Sequence, residues 1–121
     1  MEKQEKTNQL DCLIGEQLSA VQFIQDYLQL HFDGHGLTCY IWPEVYLKNQ
    51  KFKFGNIEYR NKLCELIAKI VKTVTIIEND LLTIEFADNS RINLSLDSRN
   101  PEIIAEIAIF NDIEGNFSVF E

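Results

Sequence analysis

The segment VQFIQDYLQLHF occupies residues 21–32, and aliphatic or aromatic side chains alternate along it with polar ones. Such alternation predicts β-strands, because successive side chains of a strand point to opposite faces of the sheet. The phase of the alternation changes between Phe23 and Leu28, which would face opposite ways in one straight strand. We therefore predict two antiparallel strands joined by a tight turn at Gln25 and Asp26, with a β-bulge at the same place as the alternative.

The next turn along the chain is Asp-Gly-His-Gly at residues 33–36, where two glycines allow positive φ angles. Pairing Phe32 with Leu37 across this loop keeps the aliphatic side chains on one face of the sheet. The opposite face then becomes rich in aromatic and amide side chains, with Tyr27 predicted beside Trp42. Together with the carboxylate of the preceding turn, the candidate binding residues are Asp26, Tyr27, Gln29, His31, Tyr40 and Trp42.

The middle of the chain adds one helix and more short strands. Apolar residues recur at helical spacing over residues 57–70, which predicts the one α-helix. Alternating stretches predict hairpins with turns at 49–50 and 79–80 and a loop at 88–90. The side chains predicted to face the apolar side of the strand before residues 79–80 are Thr73, Thr75 and Ile77. The expected fold class is α+β, a strongly bent, mostly antiparallel sheet of short strands packed around the helix at 57–70.

The two ends of the chain complete this organisation. Residues 1–10 are polar and lack a period, so we predict a disordered tail there and a single α+β domain over residues 11–121. A Pro-Glu pair predicts a helical turn near residues 101–105, and a Glu-Gly-Asn turn at 114–116 predicts a closing hairpin.

The charge balance restricts the classes of partner. The 121 residues carry 19 Asp and Glu against 11 Lys and Arg, for a formal net charge of −8. Nucleic acids and anionic membranes bind through Lys and Arg, so neither is an expected partner. A basic protein is favoured instead, because opposite charges speed encounter.

The cysteines and histidines offer little chemistry. Cys12, Cys39 and Cys64 form no CxxC motif, and the N-terminal sequence has no apolar core like that of a signal peptide. Free thiols in a cytoplasmic protein are therefore expected, with Cys39 and Cys64 buried and inert. His31, His35 and Cys39 are spaced by four residues, but a strand would point His31 and Cys39 to opposite faces. We predict no metal site, no cofactor and no catalytic residue.

One longer pattern carries a resemblance. Residues 21–34 (VQFIQDYLQLHFDG), Trp42-Pro43, residues 59–67 (YRNKLCELI) and Pro101-Glu102 occur together in this chain. The set resembles a family of small uncharacterised bacterial proteins of about this length, which carry an F-x-x-D-Y-x-Q-L-x-F-D-G motif. The resemblance implies a bacterial, cytoplasmic, single-domain protein. The family has no established function, so the resemblance implies no functional residue.

Two hypotheses for function follow from these observations. The first is a non-enzymatic, cytoplasmic protein-binding module that pairs with itself as a homodimer or docks a basic protein. An immunity protein against a bacterial toxin is its specific case. The alternative is a small-molecule-binding protein or small enzyme, with a pocket between sheet and helix lined by Tyr27, His31, Tyr40 and Trp42.

Overall fold

A computed structural model describes residues 9–97 and 106–121 of the chain. These residues form ten strands, one 3-10 turn and one short helix. The strands are β1 (Ala20–Ile24), β2 (Tyr27–Phe32), β3 (His35–Cys39), β4 (Glu44–Leu47), β5 (Gln50–Phe52), β6 (Val71–Ile77), β7 (Leu81–Phe86), β8 (Arg91–Ser95), β9 (Ala108–Asn111) and β10 (Phe117–Phe120). The 3-10 turn is Asp11–Leu13 and the helix, α1, is Tyr59–Cys64.

The strands form two antiparallel sheets that share one hydrophobic core. The first sheet has the order β1-β2-β3-β9-β10 and the second the order β5-β4-β8-β7-β6. Apolar residues from both sheets are buried in a single cluster, among them Leu30 and Phe110 of the first sheet and Ile84 and Ile92 of the second. The mostly antiparallel sheet was predicted correctly, whereas the single bent sheet around a helix was wrong. Two sheets bury each other, and the helix covers only part of the core.

The first hairpin forms as predicted and the second differs in register. Phe23 pairs with Leu28 across the turn at 25–26. Phe32 pairs with His35 rather than with Leu37, because Asp33 (φ 52°) and Gly34 (φ 106°) alone make the turn. A two-residue turn with positive φ at both positions matches the twist of the flanking strands better than a four-residue loop does. The shift is by two residues, so every side chain keeps its predicted face.

The second sheet departs from the prediction at the turn between β6 and β7. This turn has three residues, 78–80, so Ile77 pairs with Leu81 and Val74 with Ile84. The one-residue difference from a turn at 79–80 exchanges the two faces of β6, because side chains alternate with a period of two, and a β-bulge between Val71 and Thr73 lies farther along the strand. Val74 is therefore buried. The side chains that point away from the core, contrary to prediction, are Thr73, Thr75 and Ile77.

The predicted helix over residues 57–70 shortens to six residues, Tyr59–Cys64. Ile57 is 91% exposed, so the helix does not extend back to it. Beyond the helix, the chain forms backbone hydrogen bonds with Leu18. The Leu18 carbonyl accepts from the Ala68 N–H at 2.7 Å, and the Leu18 N–H donates to the Lys69 carbonyl at 3.0 Å. Strand-like pairing with residues distant in sequence thus replaces the helical hydrogen bonds that the local pattern predicts.

The chain ends are described in part. Leu10 is fully buried, while the rest of the predicted tail up to residue 8 lies outside the described residues. The helical turn predicted at 101–105 lies outside them as well. The closing hairpin forms as predicted, with β9 paired to β10. Within residues 9–97 and 106–121, no helix has the length and hydrophobicity needed to cross a lipid bilayer.

Candidate functional site

The predicted binding residues lie along one face of the first sheet and divide into separate groups. Tyr27 and Tyr40 form a ring pair with centroids 5.4 Å apart. Gln29 Nε2 donates to Thr38 Oγ1 at 3.2 Å on the same face. His31 Nε2 lies 3.2 Å from the Gln22 side-chain oxygen, and Asp26 sits exposed in the turn before β2. The predicted pairing of Tyr27 with Trp42 was wrong, because the shorter turn brings Tyr40 opposite Tyr27.

This face of the first sheet contains no charged side chain. We call it the uncharged face. It consists of the residues of β1, β2, β3, β9 and β10 that share the side of Tyr27 and Gln29 in the strand register, together with Tyr40 beyond the end of β3. Its members are Ala20, Gln22, Ile24, Tyr27, Gln29, His31, Gly36, Thr38, Tyr40, Ile109, Asn111, Phe117 and Val119. Phe117 is 67% exposed and Val119 42%, so the edge of the face that lies on β10 is strongly apolar.

Carboxylates surround the uncharged face at the ends of its strands. We call them the acidic rim. One end of the sheet carries Asp26, Glu106 and Glu121, and the other carries Asp33, Asp112 and Glu114.

No Lys or Arg occurs in residues 9–42 or 106–121, which hold eight carboxylates. Residues 43–97 hold eight Asp and Glu and eight Lys and Arg, so their formal charges cancel. The net charge of the described chain therefore belongs to the part that forms the first sheet.

The outer face of the second sheet is different, because its charges are paired. Lys51 Nζ lies 4.0 Å from a Glu44 carboxylate oxygen, and Lys72 Nζ lies 3.8 Å from Glu85. The Arg91 guanidinium lies 4.2 Å from the centroid of a tyrosine ring on the neighbouring strand. These contacts are typical of a solvated sheet surface, where charge is balanced locally.

A groove opens where the chain passes from the first sheet to the second. Its volume is about 560 Å³, it is open to solvent, and polar and apolar atoms line it about equally. The lining residues are Tyr40, Ile41, Trp42, Glu44, Lys53, Phe54, Leu81, Asn93 and Ser95. Tyr40 and Trp42 of the predicted set reach this groove, whereas Tyr27 and His31 are not among its lining residues. The other lining residues of the groove come from the segment between the two sheets and from the second sheet and its loops.

Two features of the groove were not predicted from the sequence. Trp42 stacks on Phe54 with ring centroids 4.3 Å apart and planes 15° apart. Phe54 lies beyond the end of β5 and meets the buried Tyr59 edge-on, with ring centroids 5.9 Å apart. The Asn93 side-chain oxygen is buried and has no hydrogen-bond partner. An alternating pattern only indicates which face Asn93 occupies, not whether its amide finds a partner.

The thiols are poorly suited to nucleophilic chemistry. Burial raises the pKa of the Cys12 thiol, and the Asp112 carboxylate raises it further. Cys12 Sγ lies 3.8 Å from His35 Nδ1, but the Ile113 N–H already donates to that nitrogen at 3.1 Å. Burial raises the pKa of Cys39 to about 12. A reactive cysteine needs the opposite shift. Cys64 is exposed, so its predicted burial was wrong.

The described residues contain no group of three or more His, Cys, Asp or Glu side chains placed to hold a metal ion. His35 begins β3 and is buried, rather than lying at a loop tip as the sequence suggested. His31 lies on the uncharged face, whereas His35 and Cys39 are buried, so these three side chains do not form a metal-binding group.

No protein-family model matches the chain, and comparisons with characterised proteins and with solved structures find no match either. The features of this chain that bear on its function are therefore the uncharged face, the acidic rim and the groove.

Proposed function

We propose that this chain is a protein-binding module that docks a positively charged protein on the uncharged face of its first sheet. The module acts without catalysis, in the cytoplasm. The observation that carries the proposal is the charge distribution: a face with no charged side chain is surrounded by carboxylates, and no Lys or Arg lies in that part of the chain.

The composition of the uncharged face supports a protein partner. The centres of protein–protein interfaces are depleted in charged residues and enriched in aromatic ones. Charged residues make up 25% of this chain, yet none occurs on the uncharged face. The face also presents Tyr40 and Phe117 at exposures of 39% and 67%. Large, partly exposed aromatic rings of this kind dominate binding energy when they become fully buried.

The acidic rim supports a basic partner over a second copy of this chain. Interface rims remain hydrated, and charges there steer association through long-range attraction. Two copies docked face to face would bring two sets of carboxylates together, and each copy has a net charge of −8. A basic protein would meet the same rim with opposite charge. Homodimerisation through this face is therefore disfavoured.

An immunity protein that neutralises a basic bacterial toxin is the specific case of this proposal. Neutralisation needs only tight docking over an active surface, which matches a module without an activated nucleophile or a metal centre among its described residues. The pairing of an acidic rim with a basic target also makes encounter fast, as rapid neutralisation requires.

The experiment is a co-purification from the source organism, followed by a binding measurement on the captured protein. The test variant is Phe117→Thr with Val119→Thr, which places a residue of high strand propensity at both positions on β10 while removing its exposed apolar surface. The matched control is Ile77→Thr on the second sheet, where the isoleucine is 47% exposed, between Val119 at 42% and Phe117 at 67%. We expect a net-positive partner whose affinity falls at least about tenfold with the test variant. The control should bind as the original chain does.

Charge is tested separately on the same complex. Glu106→Lys with Glu114→Lys should weaken binding, and so should raising NaCl from about 50 to about 500 mM. A partner without net positive charge would overturn the proposal, as would binding that ignores the Phe117 and Val119 changes. Sedimentation of the chain as a dimer that the same changes dissociate would overturn it in favour of self-association.

A further inference from the structure

The groove adjoins the uncharged face through a shared residue. Tyr40 packs against Tyr27 on the uncharged face and also lines the groove beside Trp42. A protein seated on the uncharged face would thus reach the groove with a side chain at the edge of the contact. With a volume of about 560 Å³, the groove is large enough for a long side chain and its flanking backbone.

The chemistry of the groove favours a planar group that donates several hydrogen bonds. Tyr40, Trp42 and Phe54 supply aromatic surface among its lining residues. Asn93, whose side-chain oxygen is buried without a hydrogen-bond partner, and Glu44 line the groove as well and supply acceptors. An unsatisfied buried acceptor is unfavourable until a donor reaches it, so a ligand that supplies a donor there gains more than one that does not.

We infer that the groove is a pocket for an arginine side chain of the basic partner, an inference that rests on the proposed function. A guanidinium stacks on aromatic rings and carries five N–H donors in a fixed plane, so it can stack and donate to more than one acceptor. A lysine ammonium brings charge without the plane, and an anion brings no donor to Asn93.

The positive charge of Lys53 repels a guanidinium in the groove, so removing that charge tests the proposed arginine pocket. It is the one cation among the lining residues of the groove, and Lys51 already lies 4.0 Å from Glu44. The groove is thus less acidic than the rim, and recognition must come from stacking and hydrogen bonding as much as from charge. Removing the charge of Lys53 should therefore strengthen binding of arginine.

The experiment uses blocked arginine (N-acetyl-arginine amide) rather than the protein partner. It is titrated into the ¹⁵N-labelled chain while the Trp42 indole and Asn93 amide signals are followed. Blocked lysine and blocked citrulline, which is planar but uncharged, are the matched ligands. We expect arginine to shift both signals, with a Kd in the millimolar range, about 1 mM. The other two should bind about three- to tenfold more weakly.

Variants then locate the site. Asn93→Leu should abolish the arginine response, Lys53→Ala should strengthen it about threefold, and Ile77→Thr on the second sheet should leave it unchanged. Equal binding of all three ligands, or a full response in Asn93→Leu, would overturn the pocket. Because this titration contains no partner, its failure leaves capture through Phe117 and Val119 intact. A positive titration would likewise support the arginine pocket even if the capture of a partner failed.

Discussion

Replacing Asn93 by leucine should make this protein more stable. The Asn93 side-chain oxygen is buried without a hydrogen-bond partner, and such an orphaned acceptor destabilises the folded state by about 1–3 kcal/mol. Asn93 lies within β8, directly opposite Thr83 of β7 and Glu44 of β4. Leucine has nearly the same shape, no polar atom to desolvate and a better strand propensity than asparagine. The oxygen of Asn93 is buried, but the residue as a whole is only half-buried. We therefore expect the free energy of unfolding to rise by about 1–2 kcal/mol.

Urea unfolding measures this change directly. Trp42 is the only tryptophan of the chain and lies in the groove beside Asn93, so its fluorescence reports the folded state of this region. Circular dichroism of the sheets provides a second probe, and coincident transitions would justify a two-state analysis. A gain of 1–2 kcal/mol should raise Tm by roughly 3–8 °C for a chain of this length.

The matched control is Thr83→Val on the neighbouring strand. It adds apolar surface to the same face of the second sheet but leaves the Asn93 oxygen unpaired, so it should change stability by no more than about 0.5 kcal/mol. An Asn93→Leu chain that is no more stable than the original would refute the reasoning. It would mean that the amide oxygen finds a donor in the free protein, and the main argument for a donor-bearing ligand would disappear.

Three further perturbations test other parts of the fold. Tyr59→Phe should destabilise by about 1–3 kcal/mol in urea, because the Tyr59 hydroxyl donates to the buried Pro43 carbonyl at 2.5 Å and phenylalanine cannot. Gly34→Ala should cost about 1–2 kcal/mol in the same assay, since alanine is strained at a φ of 106°. The hydrogen bond from Lys69, with one from Ser90, lowers the pKa of Asp88 to about 2, below its unfolded value of about 3.9. Asp88 therefore stabilises the fold above about pH 4, and this contribution is lost as the pH falls towards 2. Screening at this exposed side chain limits it to about 1 kcal/mol, and Asp88→Asn should remove that part of the acid dependence.

The faces of the first strands could be predicted because alternation records burial directly. Leu28, Leu30 and Phe32 are buried while the residues between them are not. The two-residue register error in the hairpin of β2 and β3 left this assignment correct, because side chains alternate between faces with a period of two. An error of one residue, as at the turn between β6 and β7, exchanged the faces of β6. The number of residues in a turn depends on pairing between strands, which a single-sequence pattern does not contain.

The length of the helix was mispredicted because the local pattern was overridden by partners distant in sequence. Leu63 and Leu66 keep helical spacing and are both buried. The chain nevertheless leaves the helix, with Ala68 at a φ of 79° and hydrogen-bonded to the backbone of Leu18. Residues 15–18 form no obvious strand in the sequence. Their pairing with 68–71 becomes visible only once the first sheet and the second are placed together.

The groove was the least predictable feature, since its lining comes from four separate stretches of chain. Tyr40 and Trp42 were singled out as exposed aromatic residues, but nothing in the sequence places Phe54 against Trp42 or Asn93 beneath them. These contacts depend on the path of the chain between the sheets. That path is held by the Tyr59 hydroxyl on the Pro43 carbonyl.

The uneven charge distribution, in contrast, was present in the sequence, but a single net charge for the whole chain conceals it. A net charge of −8 describes the whole chain, yet no Lys or Arg occurs between Lys6 and Lys48 or after Arg99. A count by segment reveals two stretches without cations. Only the strand order shows that both stretches enter the same sheet, because β9 pairs with β3 and carries β10 beside it. Had the last hairpin joined the second sheet instead, its carboxylates would lie among lysines. The acidic rim is therefore a product of topology acting on a local charge bias, and it is the topology that gathers the unbalanced carboxylates of an acidic chain around one uncharged face.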